Sequence, residues 1–127
     1  MKLYQDKNAN TNIITAYADD HVMVGKERHE GNLLVSAGQV VTGWAPAAAG
    51  DLSGLTTSDL AAAAESGAEI LLVGTGRRQR FPAPELLRPL IEARIGFEFM
   101  DLAAACRTYN ILVGEGRAVT LALLYER

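Results

Sequence analysis

The stretch from Gly96 to Arg117, GFEFMDLAAACRTYNILVGEGR, decides the fold. Phe97 to Met100 reads as a short strand, and Asp101 as the N-cap of a helix, because its carboxylate can accept from first-turn N–H groups. Leu102, Ala105, Cys106, Tyr109, Leu112 and Val113 recur at helical spacing and mark a buried face. Gly114 reads as the helix stop, and Ala118 to Tyr125 (AVTLALLY) as the final strand.

Working back, Glu69 to Val73 (EILLV) is continuously apolar after its first residue, which suits a central strand covered on both faces. A helix is expected between Pro84 and Arg94, with Leu86, Leu87, Leu90 and Ile91 as its apolar stripe and Gly96 closing it. Pro89 forces either a kink or a start of the regular part near Arg88. The order strand, helix, strand, helix, strand predicts a C-terminal βαβαβ unit with parallel crossovers. Ahead of it, Thr56 with Asp59 resembles a capping pair before a run of alanines, and Gly67 reads as the stop.

The first third has the other period. Asn12 to Ala18 and His21 to Lys26 flank Asp19-Asp20, and Asn32 to Ser36 and Gln39 to Thr42 flank Ala37-Gly38. Two antiparallel hairpins are expected, joined to the helical part through the turn-rich segment Trp44 to Gly54. The fold class is therefore α/β, with a mixed sheet, in one domain over residues 1–127 and with residues 1–11 loosely held.

Composition narrows the function classes. Net charge is −3, so there is no general attraction to nucleic acid or anionic lipid. No run approaches the roughly 18 apolar residues of a membrane span. Cys106 is the only cysteine, so an intrachain disulfide is impossible. With no signal or transit pattern at the N-terminus, the cytoplasm is the expected compartment.

Two groups of residues could carry chemistry. Gly74, Thr75 and Gly76, followed by Arg77, Arg78 and Arg80, come after a buried strand, where α/β sheets take ligands and where guanidinium groups could fork onto an anion. The GxxxxGK[ST] and GxGxxG patterns are absent, and a glycine turn with solvated arginines is the plainer reading. The second group is Glu98, Asp101, Arg107, Asn110, Glu115 and Arg117. Glu98 or Glu115 paired with Arg107 or Arg117 would lock helix to sheet, whereas Glu98, Arg107 and Asn110 could instead extend a ligand site. Cys106 falls on the inward stripe and reads as a small hydrophobe. No catalytic residue, metal ligand set or cofactor motif is assigned.

Two stretches, ILLVGTGRRQRFPAPEL (70–86) and EFMDLAAACRTYNILVGEGRAV (98–119), resemble domain-of-unknown-function family 498, with echoes at EGNLLVSAGQVVTGW (30–44). Leu102 departs from the pattern, which expects a small polar residue there. The resemblance implies a three-layer α/β fold and no reaction for prokaryotic members. It also implies an interaction or assembly role, because relatives include a mitochondrial respiratory complex I assembly factor. The expected partner is thus another protein, or a second copy in a homodimer, and not nucleic acid or the membrane interior.

Overall fold

The computed structural model describes residues 11–126. The expectation of a loosely held segment over 1–11 falls, apart from Thr11, outside them. Five strands, β4 (Leu33–Ser36), β5 (Gln39–Thr42), β6 (Ile70–Thr75), β7 (Gly96–Met100) and β8 (Val119–Leu124), form one sheet in the order β5-β4-β8-β6-β7. β6 runs parallel to both β7 and β8, while β4 is antiparallel to β5 and β8. The sheet is mixed, as expected.

Its two faces build separate cores. On one, Leu33 and Val35 of β4, Leu72 of β6, and Val119, Leu121 and Leu123 of β8 pack under helix α3 (Leu102–Gly114), through Leu102, Ala105, Cys106, Tyr109 and Val113. On the other, the alternate residues Leu34, Leu71, Val73, Ala122 and Leu124 pack under α1 (Thr57–Ala64) and α2 (Arg88–Glu92), together with Trp44. Every residue of β8 is buried, so the uninterrupted run VTLALL is the signature of a strand covered on both faces. Three layers result.

The caps match the chemistry of their residues. Thr56 accepts from the Asp59 amide at 3.1 Å, and the Asp59 carboxylate accepts from the Thr56 amide at 3.0 Å, closing a capping box. Asp101 accepts from the Ala104 amide at 2.9 Å. Pro89 lies in the first turn of α2, which follows a 3-10 turn at Pro84–Leu87, so the regular helix does begin at Arg88.

Several expectations change. The first hairpin, β1 (Ile14–Tyr17) with β2 (Val22–Val24), does not join the main sheet; with a third strand, β3 (Glu27–His29), it makes a small sheet of its own. That sheet buries Ile14, Val22 and Val24 in the α3-side core. β2 ends at Val24 because Gly25, with φ of 59°, turns the chain into β3. Gly74 and Thr75 belong to β6, and only Gly76 turns. Gly96 is the first residue of β7, and the left-handed residue ahead of it is Arg94. α3 runs through Gly114, and Gly116, with φ of 80°, makes the exit. Ile91 is 61% exposed, outside the core expected of it.

Candidate functional site

β6 leads to α2 on one face of the sheet and β7 leads to α3 on the other, so the connections part beyond the ends of these two strands. That is where open α/β sheets place ligands. The structure puts a cleft of about 290 Å³ beside it, lined by Tyr17, Asp19, Arg77, Asp101, Ala103 and Glu126, among others.

The Gly74–Arg80 segment is wired into this end of the sheet. Gly74 has no side chain because α3 begins against it; a Cβ there would lie 3.2 Å from the Leu102 Cα. The Gly76 carbonyl accepts from the Leu102 amide at 2.7 Å, tying strand end to helix start. The Thr75 hydroxyl is buried, accepts from the Arg80 amide at 3.1 Å and donates toward the Arg78 carbonyl at 2.6 Å. Glu126 completes the loop from the next strand. Its Oε1 accepts from the Arg77 amide and from the Arg80 guanidinium, each at 2.8 Å. The Arg77 amide above all, with Arg80 adding to it, holds the Glu126 carboxyl below its ordinary range.

The arginines therefore differ in role. Arg80 is half-buried and also donates to the Thr75 carbonyl at 3.1 Å. Arg77 reaches across the cleft to Asp19 of the β1–β2 turn, Nε to Oδ2 2.8 Å, with both side chains more than 60% exposed. Arg78 is exposed.

The second group does not close into one network. Arg107 is exposed on α3 and donates to the Tyr17 hydroxyl at 3.1 Å. Arg117 sits 3.8 Å from Glu69, not from Glu98 or Glu115. Among the described residues Glu98 and Glu115 enter no ion pair. Asp101 spends its carboxylate on the helix cap. Asn110 spends both ends of its amide on one residue: Oδ1 accepts from the Ile14 amide at 2.9 Å and Nδ2 donates to the Ile14 carbonyl at 2.8 Å. The lock that joins α3 to its neighbours is thus an amide clip onto β1, not a salt bridge onto the sheet.

Tyr17, Asp19 and Glu126 were not legible as site residues. Glu126 had a signal, since β8 pairs Leu124 with Thr75 in parallel register and its next residues must reach the glycine turn. Tyr17 and Asp19 had none, because nothing local says that the first hairpin folds over this end.

Cys106 is fully buried beneath α3, and burial pushes its thiol up to about 12 despite the nearby Arg107 charge. Its reaction with a thiol reagent at neutral pH is expected to proceed only as fast as the native protein opens. Labelling kinetics in increasing denaturant check this: fast reaction in native buffer would mean an accessible, activated thiolate.

Fold and site together define a small three-layer α/β domain with a cleft beyond the ends of β6 and β7 that the Arg77–Asp19 ion pair crosses. The chain belongs to the family described as proteins of unknown function (DUF498/DUF598), matched over residues 14–124. A crystal structure of a Bordetella parapertussis protein superposes with a TM-score of 0.83 at 42% identity, covering 93% of this chain and 98% of that one. The "13 kDa major membrane protein" of Francisella tularensis is 34% identical over 58% of this chain and 60% of its own length. The Xenopus tropicalis NADH dehydrogenase (ubiquinone) 1 alpha subcomplex assembly factor 3 is 41% identical over 44% of this chain. The matched part is 31% of that assembly factor, so the chain spans less than two thirds of both relatives and less than one third of the assembly factor.

Proposed function

We propose that this chain is a protein-interaction module that assists assembly of a larger complex, working by binding and not by chemistry of its own. The observation that carries this is Phe81. It is 74% exposed at the end of a loop that Arg80, Thr75 and Glu126 anchor from behind. An aromatic side chain held out on a rigid support loses little freedom on docking, which is what an anchor residue needs. The assembly-factor relative supports the same reading. In this reading the chain works in the cytoplasm; no helix among the described residues is long and apolar enough to cross a membrane.

Affinity-tagged protein recovered from its own cells at physiological salt is expected to bring down a reproducible partner. Phe81→Ala should lose that partner, while Arg77→Ala, which breaks only an exposed ion pair worth up to about 1 kcal/mol, should keep it. Recovery of nothing above background, or equal recovery by the Phe81→Ala protein, would count against the reading.

A second reading rests on the cleft. A small ligand bound between Gly76, Arg77 and the first turn of α3 would have to displace Asp19 from Arg77, since that pair spans the opening. Glu98, Arg107 and Asn110 would take no part, because none of them lines the cleft. A thermal-shift screen of anionic metabolites, repeated on Arg77→Ala, tests it: a hit that survives the substitution is not bound there.

A further inference from the structure

The strand edges of this molecule are not alike. Sheets expose unpaired N–H and C=O groups along their edge strands, and folded proteins blunt such edges with charges, caps or cover. β1 is capped by Asn110, which takes both backbone groups of Ile14. β3 consists of Glu27, Arg28 and His29, so it carries charge along its length. β7 carries Glu98 and is capped by Gln79, whose Nε2 donates to the Phe99 carbonyl at 2.8 Å.

β5 has none of these devices. Its residues are Gln39, Val40, Val41 and Thr42, with no charge and no proline. Among the described residues no group caps its outer side. The two-residue turn Ala37-Gly38 makes Ser36 and Gln39 a hydrogen-bonded pair, and alternation then makes Leu34 and Val41 the next. The backbone groups of Val40 and Thr42 therefore point outward. Val41, between them, is 38% exposed and faces the α1 side of the sheet, like its partner Leu34.

From this arrangement we infer that β5 is the site where a second copy of this chain pairs, antiparallel, to continue the sheet across a twofold axis through Val41. The strand supplies its own complement. With Val41 opposite Val41 of the second copy, Val40 meets Thr42 on both sides, and all the outward N–H and C=O groups of those residues are satisfied. The axis pair is then of the non-hydrogen-bonded kind, in which side chains come closest, so the exposed valines cover each other. With no charged residue from Gln39 to Gly43, the twofold brings no like charges together along the strands. A groove between β5 and α1 offers the incoming side chains the apolar groups of Leu34, Val41, Trp44 and Ala62, with the polar Glu65 and Ser66 also lining it. This pairing is independent of the partner proposed for Phe81, which lies on the loop after β6.

Sedimentation velocity over a wide dilution series tests the inference, with amide hydrogen exchange on the same samples. The wild type is expected to pass from monomer to dimer as concentration rises, with the Val40 and Thr42 amides gaining protection in step. Val41→Lys should weaken association by about tenfold or more, because two ammonium groups would meet across the axis. Ile91→Lys, at a more exposed apolar site on α2, should leave it unchanged. A wild type that stays monomeric at its highest soluble concentration overturns the inference. So does a dimer that survives Val41→Lys, or one in which the Val40 and Thr42 amides exchange as in the monomer. Circular dichroism on both variants establishes that each is folded, and Thr42→Lys provides a second break in the same strand.

Discussion

Gly76→Ala is expected to destabilise the protein by about 3–5 kcal/mol, which for a chain of this length lowers the melting temperature by roughly 10–20 °C. Two costs add. Gly76 has φ of 73°, where any side chain is strained by about 1–2 kcal/mol. The added Cβ would also lie 2.6 Å from the Glu126 Oε1. A carboxylate on a flexible side chain can move aside cheaply, but this oxygen accepts from both the Arg77 amide and the Arg80 guanidinium. Moving it breaks charge-assisted hydrogen bonds worth about 1.5–3 kcal/mol. Gly116→Ala separates the two costs, since Gly116 has φ of 80° but open space around it. Calorimetry of both variants should find Gly76→Ala the worse by a clear margin; equal losses would mean that Glu126 holds nothing in place.

The same carboxylate gives the loop a pH dependence. Its folded-state pKa is lowered, so its stabilisation is present above the ordinary carboxylate range and is lost as pH falls through the lowered value. In the Gly76→Ala protein this part of the acid sensitivity should shrink, because the bonds that lower the pKa are already broken.

The capping residues Thr56, Asp59 and Asp101 act within one turn of chain, and local chemistry of that kind is visible in sequence. The apolar runs of β6 and β8 announce strands covered on both faces, and they fix the middle of the sheet. β3 was invisible because Glu27-Arg28-His29 has neither alternation nor β-branched residues; it is a strand only because Gly25 folds it onto β2. Gly74 looked like a turn residue, yet its smallness serves the approach of α3, a tertiary reason with no local mark. Charged residues misled for a related reason. Sequence shows that Glu98, Arg107 and Arg117 could pair, but their pairing depends on which face of α3 meets which element. The structure lays Arg107 toward Tyr17 of the first hairpin and Arg117 toward Glu69.

Asn110 is where that difference has the largest consequence. Its amide substitutes for a neighbouring strand, giving and taking one hydrogen bond with Ile14, 96 residues away in the chain. Ile14 is itself buried, and β1 is irregular just beyond it, with Thr15 bulged and its hydroxyl donating to the Gly25 carbonyl at 2.6 Å. A bulged edge strand has few bonds to spare. Asn110→Ala removes two and leaves a partly buried N–H and C=O unpaired, a loss of about 2–4 kcal/mol. Asn110→Asp should do no better: a carboxylate still accepts from the Ile14 amide, but it sets an anion against the Ile14 carbonyl where a donor stood. The damage should also be local. Native-state hydrogen exchange is expected to find the amides of β1 and β2 opening well below the global unfolding free energy, while those of β6 and β8 follow it. With the hairpin loosened, Asp19 would leave Arg77 and the mouth of the cleft would widen, because that ion pair is held by the hairpin's position. An Asn110→Ala protein whose β1 amides remain as protected as those of β8 would show that α3 holds the hairpin without the clip, through the packing of Ile14, Val22 and Tyr109 and the hydrogen bonds from Tyr109 to the Asn12 carbonyl and from Arg107 to the Tyr17 hydroxyl.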